Sequence, residues 1–278
     1  MKPVTLSERM RAVAEMVTVG NRVCDVGCDH GFVSIYLVEQ GISPGALAMD
    51  VRTGPLSAAR EHVAERGLER KIETRLSDGL HNYNIGEAET LICAGMGGSL
   101  MRQILSDHPD KTRSFVEMVL QPQSELEQFR AWLREAGYRI AGENMIEEEG
   151  KFYPMMRVVH RDDADMDGGC MPLSGETVEC ELCKLDVQTA KTDDLQIEDA
   201  VMSDVSELCK LQDRYGPVLL ARKDKVLTAY LQREKRIYGG ILEELSGNGL
   251  WDGQRRRRYE QIQRLLDDCC TALKMMEQ

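Results

Sequence analysis

Aromatic side chains are scarce in this chain. They make up 5% of 278 residues, with only four Phe and two Trp, and proline occurs eight times. No run of about 18 apolar residues exists, which excludes a membrane-spanning helix. The opening stretch MKPVTLSERM lacks the charged-then-apolar order of an export signal, so the expectation is a cytoplasmic protein. A paired cysteine framework is missing too. The nine cysteines are odd in number and scattered, so they are expected as reduced thiols, several of them buried. A net positive charge is also absent, since the chain carries −12. What is present is an ordinary 42% of hydrophobic residues, enough for a sizeable core. Collagen-like, wholly disordered and coiled-coil-only chains are thereby excluded.

The negative charge is unevenly placed. Residues 1–161 carry net −4, residues 162–212 net −11 and residues 213–278 net +3. Charges act over about 8 Å in physiological salt, so each segment has to be judged by its own field. These shifts divide the chain into a first domain over 1–161, an acidic and flexible insertion over 162–212, and a C-terminal helical domain over 213–278.

Within the first domain, apolar positions 6, 10, 13, 14 and 17 have helical spacing, with Ser7 as a cap. Short buried strands are expected at 22–26, 46–50, 72–76, 90–94 and 115–120. Helices are expected at 32–40, 55–66, 100–106 and 126–136, with Pro55 in a first turn and Gly137 as a stop. A closing strand pair follows at 138–145 and 152–160. Alternating strands and helices imply an α/β fold, a Rossmann-like parallel sheet covered on both faces. In the acidic segment, Thr177–Val187 could form a local strand. After Tyr215-Gly216-Pro217 come two long helical patterns separated by Gly247, Asn248, Gly249 and Gly253, a coiled-coil-like hairpin with an apolar seam.

The chemistry concentrates at the strand ends. Asp25-Val26-Gly27-Cys28-Asp29-His30-Gly31 leaves a strand and opens a helix, where glycine lets a ligand approach and helix N–H donors are free. A dinucleotide site wants G-x-G-x-x-G, and this loop lacks it. Asp29 would repel a pyrophosphate but suits a ligand with a positive amine, such as the methionine part of S-adenosylmethionine. Asp50 ends the second strand, where a carboxylate can take both ribose hydroxyls. Asp78 follows the third strand and could accept from an adenine amino group. Each acid alone could be a turn or helix cap; the three in order mark the crevice of an open α/β sheet. Ala94-Gly95-Met96-Gly97-Gly98 bares the backbone after the fourth strand, and Gln121-Pro122-Gln123 follows the fifth with amides suited to a base. His30 has no partner ligand at helical spacing and is read as structural or cofactor-shaping. Cys170, Cys180, Cys183 and Cys209 lack a second tight pair, so no obligatory metal is expected. Arg255 to Arg258 suit either phosphate contacts or a solvated helix face.

Taken together, LSERM at 6–10, DVGCDHG at 25–31, AMD at 48–50, SDGL at 77–80, AGMGG at 94–98 and QPQ at 121–123 resemble the bacterial tRNA (adenine-22-N1)-methyltransferases. So do WLREAGY at 132–138, EEEGKFY at 147–153 and YGPVLL at 215–220. The resemblance covers 1–160 and resumes at 215. It implies a class I methyltransferase domain that uses S-adenosylmethionine and a C-terminal helical domain that helps hold tRNA. By position it implies a cofactor site of Asp25, Gly27, Cys28, Asp29, His30, Asp50, Val51, Asp78, Gly79, Ala94, Gly95 and Gly97. Asp29, Met96 and Gln121 are the catalytic candidates. Arg9, Lys223, Lys225, Arg233, Arg236 and Arg255 to Arg258 are the RNA-contact candidates. Two features depart from the pattern: the acidic segment, and Gln123 where asparagine is expected. The expected partner is tRNA, with no membrane, and a monomer is the default. Two other readings stay open: a methyltransferase acting on another RNA, a protein or a small molecule, and a non-catalytic interaction protein on the same fold.

Overall fold

The computed structural model describes residues 4–161, 206–247 and 253–277. It divides into two compact units, Met1–Asp167 and Gly168–Gln278.

The first unit is built on a seven-stranded sheet. Its elements are α1 (Glu8–Glu15), β1 (Val23–Val26), α2 (Phe32–Glu39), β2 (Ala46–Asp50), α3 (Thr53–Glu65), β3 (Ile72–Leu76), β4 (Thr90–Met96), α4 (Gly98–Asp107), α5 (Pro109–Arg113), β5 (Glu117–Pro122), α6 (Leu126–Glu135), β6 (Tyr138–Glu148) and β7 (Lys151–His160). The strand order is β3-β2-β1-β4-β5-β7-β6. The first five strands are parallel, while β7 inserts antiparallel between β5 and β6. Strands β1, β2 and β5 are buried along their whole length, as parallel strands covered by helices on both faces must be. Their sequences are accordingly mostly apolar, with Asp25, Asp50, Glu117 and Gln121 as the buried polar exceptions. Val23, Ala46, Ala48 and Ile92 face a core shared with Val13, Ile35, Leu56, Ala59 and Val63 of α1, α2 and α3.

The expected boundaries hold to within a residue or two in most elements. Ser7 caps α1 by accepting from the Met10 amide at 3.3 Å. Gly137 takes φ +82° after α6. Two corrections concern the site. Strand β4 runs on to Met96, with a bulge between Ala94 and Met96. Strand β5 spans Glu117–Pro122 rather than 115–120, and because it runs two residues further, Gln121 and Pro122 lie inside it instead of following it. The apolar Phe115 that suggested the earlier start is core filler stacked on Tyr83 at 4.6 Å. The short helix α5, opened by Pro109, has no counterpart in the expected pattern.

The second unit contains α7 over residues 206–215, α8 (Pro217–Ala221), α9 (Lys225–Gly247) and α10 (Gly253–Glu277). Asp224 caps α9, its Oδ1 accepting from Val226 and Leu227 at 2.9 and 3.0 Å. Leu227, Leu231, Ile262, Cys269 and Ala272 bury the seam of the α9–α10 hairpin. Helix α7 crosses the boundary drawn at 212/213 by charge. The expected strand at 177–187 and Cys170, Cys180 and Cys183 lie outside the described residues. Among the described residues no helix is long and apolar enough to cross a membrane, and no group of three or more His, Cys, Asp or Glu could hold a metal.

Candidate active site

The chain leaves β1, builds outward through β2 and β3, then returns to β4 on the other side of β1. This reversal opens a crevice at the carboxyl ends of β1 and β4, the place where open α/β sheets bind ligands. A cleft of about 600 Å³ lies there.

The loop after β1 forms its floor. The Gly27 and Cys28 amides donate to the Met49 carbonyl at 2.8 and 3.0 Å, tying the loop to β2. Asp29 sits in the left-handed region at φ +50°, which aspartate tolerates better than most residues. Gly31, at φ +74°, could not carry a side chain without stress, because a Cβ there would meet the Ala59 Cβ at 3.1 Å. Asp50 is buried, and both its oxygens are engaged. Oδ2 accepts from the Asp29 amide at 3.2 Å and Oδ1 from the Arg52 amide at 2.8 Å. Arg52 Nε also lies 3.6 Å from Oδ1. A carboxylate oxygen can accept more than one hydrogen bond, so this cleft-lining group can hold the loop and still accept from a diol. Asp25 is buried beside it and accepts from the Ser34 hydroxyl at 2.9 Å. Burial, followed by repulsion from Asp50, pushes its carboxyl up to about 6, against the pull of the Ser34 hydrogen bond.

The third acid, Asp78, is exposed and lines the cleft. The buried Ser77 shapes its turn by donating to the Gly79 carbonyl at 2.8 Å and accepting from the Asn82 amide at 3.0 Å. The glycines around the end of β4 divide their roles. Gly95, at φ +79°, sits at the bulge and lines the cleft. Gly98 is needed for close backbone approach, since a Cβ there would stand 2.6 Å from the Ser124 carbonyl oxygen. Burial pushes the thiols of Cys28 and Cys93 up, the latter to about 12, so neither supplies a thiolate.

Gln121 is fully buried and does not line the cleft. Its Oε1 accepts from the Gly95 amide and from Arg9 Nη1, both at 3.2 Å. Arg9 does line the cleft. Its guanidinium lies 5.1 Å from the centroid of the Tyr153 ring, and its amide donates to Glu148 at 3.3 Å.

Residues 6–156 match the Methyltransferase domain family. The chain is 35% identical over 169 residues to the tRNA (adenine(22)-N(1))-methyltransferase of Bacillus subtilis strain 168, covering 60% of this chain and 71% of that one. This chain belongs to that methyltransferase family. The crystal structure of the B. subtilis m1A22 tRNA methyltransferase superposes with a TM-score of 0.72 at 25% identity, over 97% of this chain and 99% of that one. A Streptococcus pneumoniae structure in complex with S-adenosyl-L-methionine superposes with a TM-score of 0.71 at 26% identity, over 97% and 100% of the two chains.

In this methyltransferase, eleven of the twelve residues expected around a cofactor line one cleft: Asp25, Gly27, Cys28, Asp29, His30, Asp50, Val51, Asp78, Gly79, Ala94 and Gly95. Gly97 does not. Of the catalytic candidates, Asp29 and Met96 face the cleft, whereas Gln121 stands behind it. Sequence reasoning missed the contribution of the N-terminal segment, where Thr5, Leu6, Ser7 and Met10 join Arg9 in the lining. It also missed Phe32, Arg52, Leu100 and Ile104. The usable signal for Phe32 was an aromatic at the first turn of a helix that follows a glycine loop.

In the second unit, Lys223, Lys225, Arg233 and Arg236 are exposed. The arginine run has mixed duties. Arg255 Nη2 donates to the Leu245 carbonyl at 2.5 Å, closing the end of α9. Arg256 pairs with Glu260 at 3.1 Å, and Arg258 donates to Gln261 at 3.0 Å. Arg257 lines a groove of mixed charge, with Lys210, Arg214 and Arg264 beside Glu207, Glu260, Asp267 and Asp268.

Proposed function

We propose that the chain transfers a methyl group from S-adenosylmethionine to N1 of an adenine in tRNA, at position 22 as in the B. subtilis relative. The observation that carries this reading is the convergence of Asp25, Asp29, Asp50 and Asp78 on one cleft in a chain of that family. The donor set fits the cofactor. Acids suit its ammonium and sulfonium charges, Asp50 suits the ribose hydroxyls, and Asp78 with Gly79 suits the adenine edge.

When bound, S-adenosylmethionine supplies a methyl on a cationic sulfur, which passes to N1 as the carbon–sulfur bond breaks and leaves its electrons on sulfur. N1 already holds a lone pair, so no side chain has to remove a proton. The residues act by positioning and by excluding water. Gly95 and Met96 border the place of transfer. Gln121 holds Gly95 and Arg9 in register from behind. Asp29 offsets the positive charge that the base acquires. N1 lies on the pairing edge, so the base has to be unpaired or flipped out before it can enter. The exposed cations of the second unit, Lys223, Lys225, Arg233, Arg236, Arg257 and Arg258, supply phosphate contacts.

The test is incubation with S-adenosylmethionine and unmodified bacterial tRNA, followed by primer extension. A methyl on N1 stops reverse transcription. The expected result is a cofactor-dependent stop at position 22. Cofactor binding by calorimetry without any stop would overturn the tRNA reading and leave a methyltransferase of another substrate.

A further inference from the structure

Phe32 is one of four phenylalanines in the chain, and it is 41% exposed at the lip of the cleft. An exposed phenylalanine ring in water is a cost, and this one is held in place rather than left loose. Its ring stacks on His62 with centroids 4.6 Å apart and planes 24° apart. The His30 ring lies 5.9 Å away at 31°. His62 Nδ1 is 3.0 Å from the His30 carbonyl oxygen. A carbonyl only accepts, so Nδ1 carries the proton and the His62 ring is pinned. Gly31 packs the same loop against Ala59 of α3, so the three rings stand on a rigid base.

We infer that Phe32, backed by His62 and His30, is a stacking platform for an unpaired base of the RNA substrate next to the target adenine. This inference rests on the tRNA reading above. Flipping the target out of its stack leaves a neighbouring base with one uncovered face. An exposed π-surface at the mouth of the reaction cleft restores that lost stacking and accepts any base, because every base has a π-face. In the reading proposed for the cofactor, its adenine goes to Asp78 and Gly79 beyond β3, which leaves the exposed part of Phe32 to another ligand. The occupant is also not a purely apolar partner. Asp29 and Arg52, 3.7 Å apart, line the same cleft as Phe32, as suits a polar ligand with a flat apolar face.

The experiment measures methyl transfer to tRNA and cofactor affinity for the wild type and for Phe32→Ala, Phe32→Leu, Phe32→Trp and His62→Ala. Expected for Phe32→Ala and Phe32→Leu alike is a loss of about 10-fold in kcat/KM for tRNA, with cofactor Kd unchanged. Phe32→Trp retains wild-type values, because it keeps the π-face and not merely the apolar volume. His62→Ala falls between. Wild-type kcat/KM in both Ala and Leu variants would overturn the platform. A parallel loss of cofactor affinity would overturn it too, by making Phe32 a wall of the cofactor site. Wild-type values for Leu with loss only for Ala would overturn stacking in favour of simple packing. If the wild type itself leaves tRNA unmethylated, the functional reading falls first and this inference with it; activity in the wild type with indifference at Phe32 removes only the platform.

Discussion

Asp25 is a single buried residue whose charge carries a cost in stability at neutral pH. Its carboxyl is buried, and in the folded chain it titrates near 6 instead of near the usual 3.8. The folded state therefore holds this proton more tightly than the unfolded state does. Between pH 4 and 6 the native chain binds more protons, so this group's contribution to stability declines as pH rises and stays low above 6. A shift of that size corresponds to about 3 kcal/mol. Asp25→Asn, which stays neutral and can still accept from Ser34, should melt several degrees above wild type at pH 7.5, with the gap closing toward pH 4. The same change should weaken binding of the cationic cofactor. In wild type that binding should fade as pH drops through about 6, whereas in the variant it should be flat with pH. Calorimetry and melting curves across pH 4–8 check both statements. A wild-type affinity indifferent to pH would show that the charge of Asp25 plays no part. Asp25, Asp50 and Asp78 were legible as cleft residues because each lies at or just beyond the carboxyl end of a short strand, next to a loop, and the end of a parallel strand is where ligands meet the sheet. Gln121 was legible as important but not as buried, since apolar patterning alone ended β5 before it.

Elements explain the arginine run better than its charge does. Four consecutive arginines on a helix point around the whole circumference, at about 100° per residue, so they cannot all share one task. Arg255 turns back onto the carbonyls at the end of α9 and joins the two halves of the hairpin. Arg255→Ala should lower stability by about 1 kcal/mol with little effect on tRNA binding beyond that. Reversing Arg257 and Arg258 to Glu should leave melting unchanged and weaken tRNA binding. It should also flatten the dependence of log Kd on log salt by about one unit per lost phosphate contact. Filter binding at several salt concentrations, together with melting curves, separates the two classes. Equal tRNA retention in the double reversal would remove these side chains from the RNA surface. Helical spacing made both long helices readable. Which arginine faces the seam depended on where α10 begins, and α10 begins at Gly253, two residues before the run.

The whole molecule has a charge problem that only the full chain poses. Its net charge is −12, and residues 162–205 carry −11 of it while a polyanion is the proposed substrate. Replacing 162–205 with a neutral Gly/Ser linker of equal length should tighten tRNA binding at low salt. The gain should vanish as salt shortens the reach of charge, and cofactor affinity should not move. Unchanged tRNA affinity at 50 mM salt would mean that the acidic tract does not reach the bound RNA. At this scale the first unit was the most legible part, because repeated strand–helix alternation leaves few topologies once crossovers are right-handed. The insertion of β7 between β5 and β6 was not legible, since a closing strand pair reads the same whichever strand is inner.

That last hairpin also governs the order in which the enzyme can be made. Arg9 belongs to the first helix, yet it is held by Glu148 of β6 and lies over Tyr153 of β7, with 139 positions between Arg9 and Glu148. A ribosome adding about 5–20 residues per second takes on the order of 10 s to cover that stretch. During that interval the N-terminal helix has left the ribosome without the partners that will fix it, and the wall of the cleft it forms cannot yet be complete. Nascent chains stalled before residue 148 should therefore be unable to close the cleft, however much of the parallel sheet has already assembled.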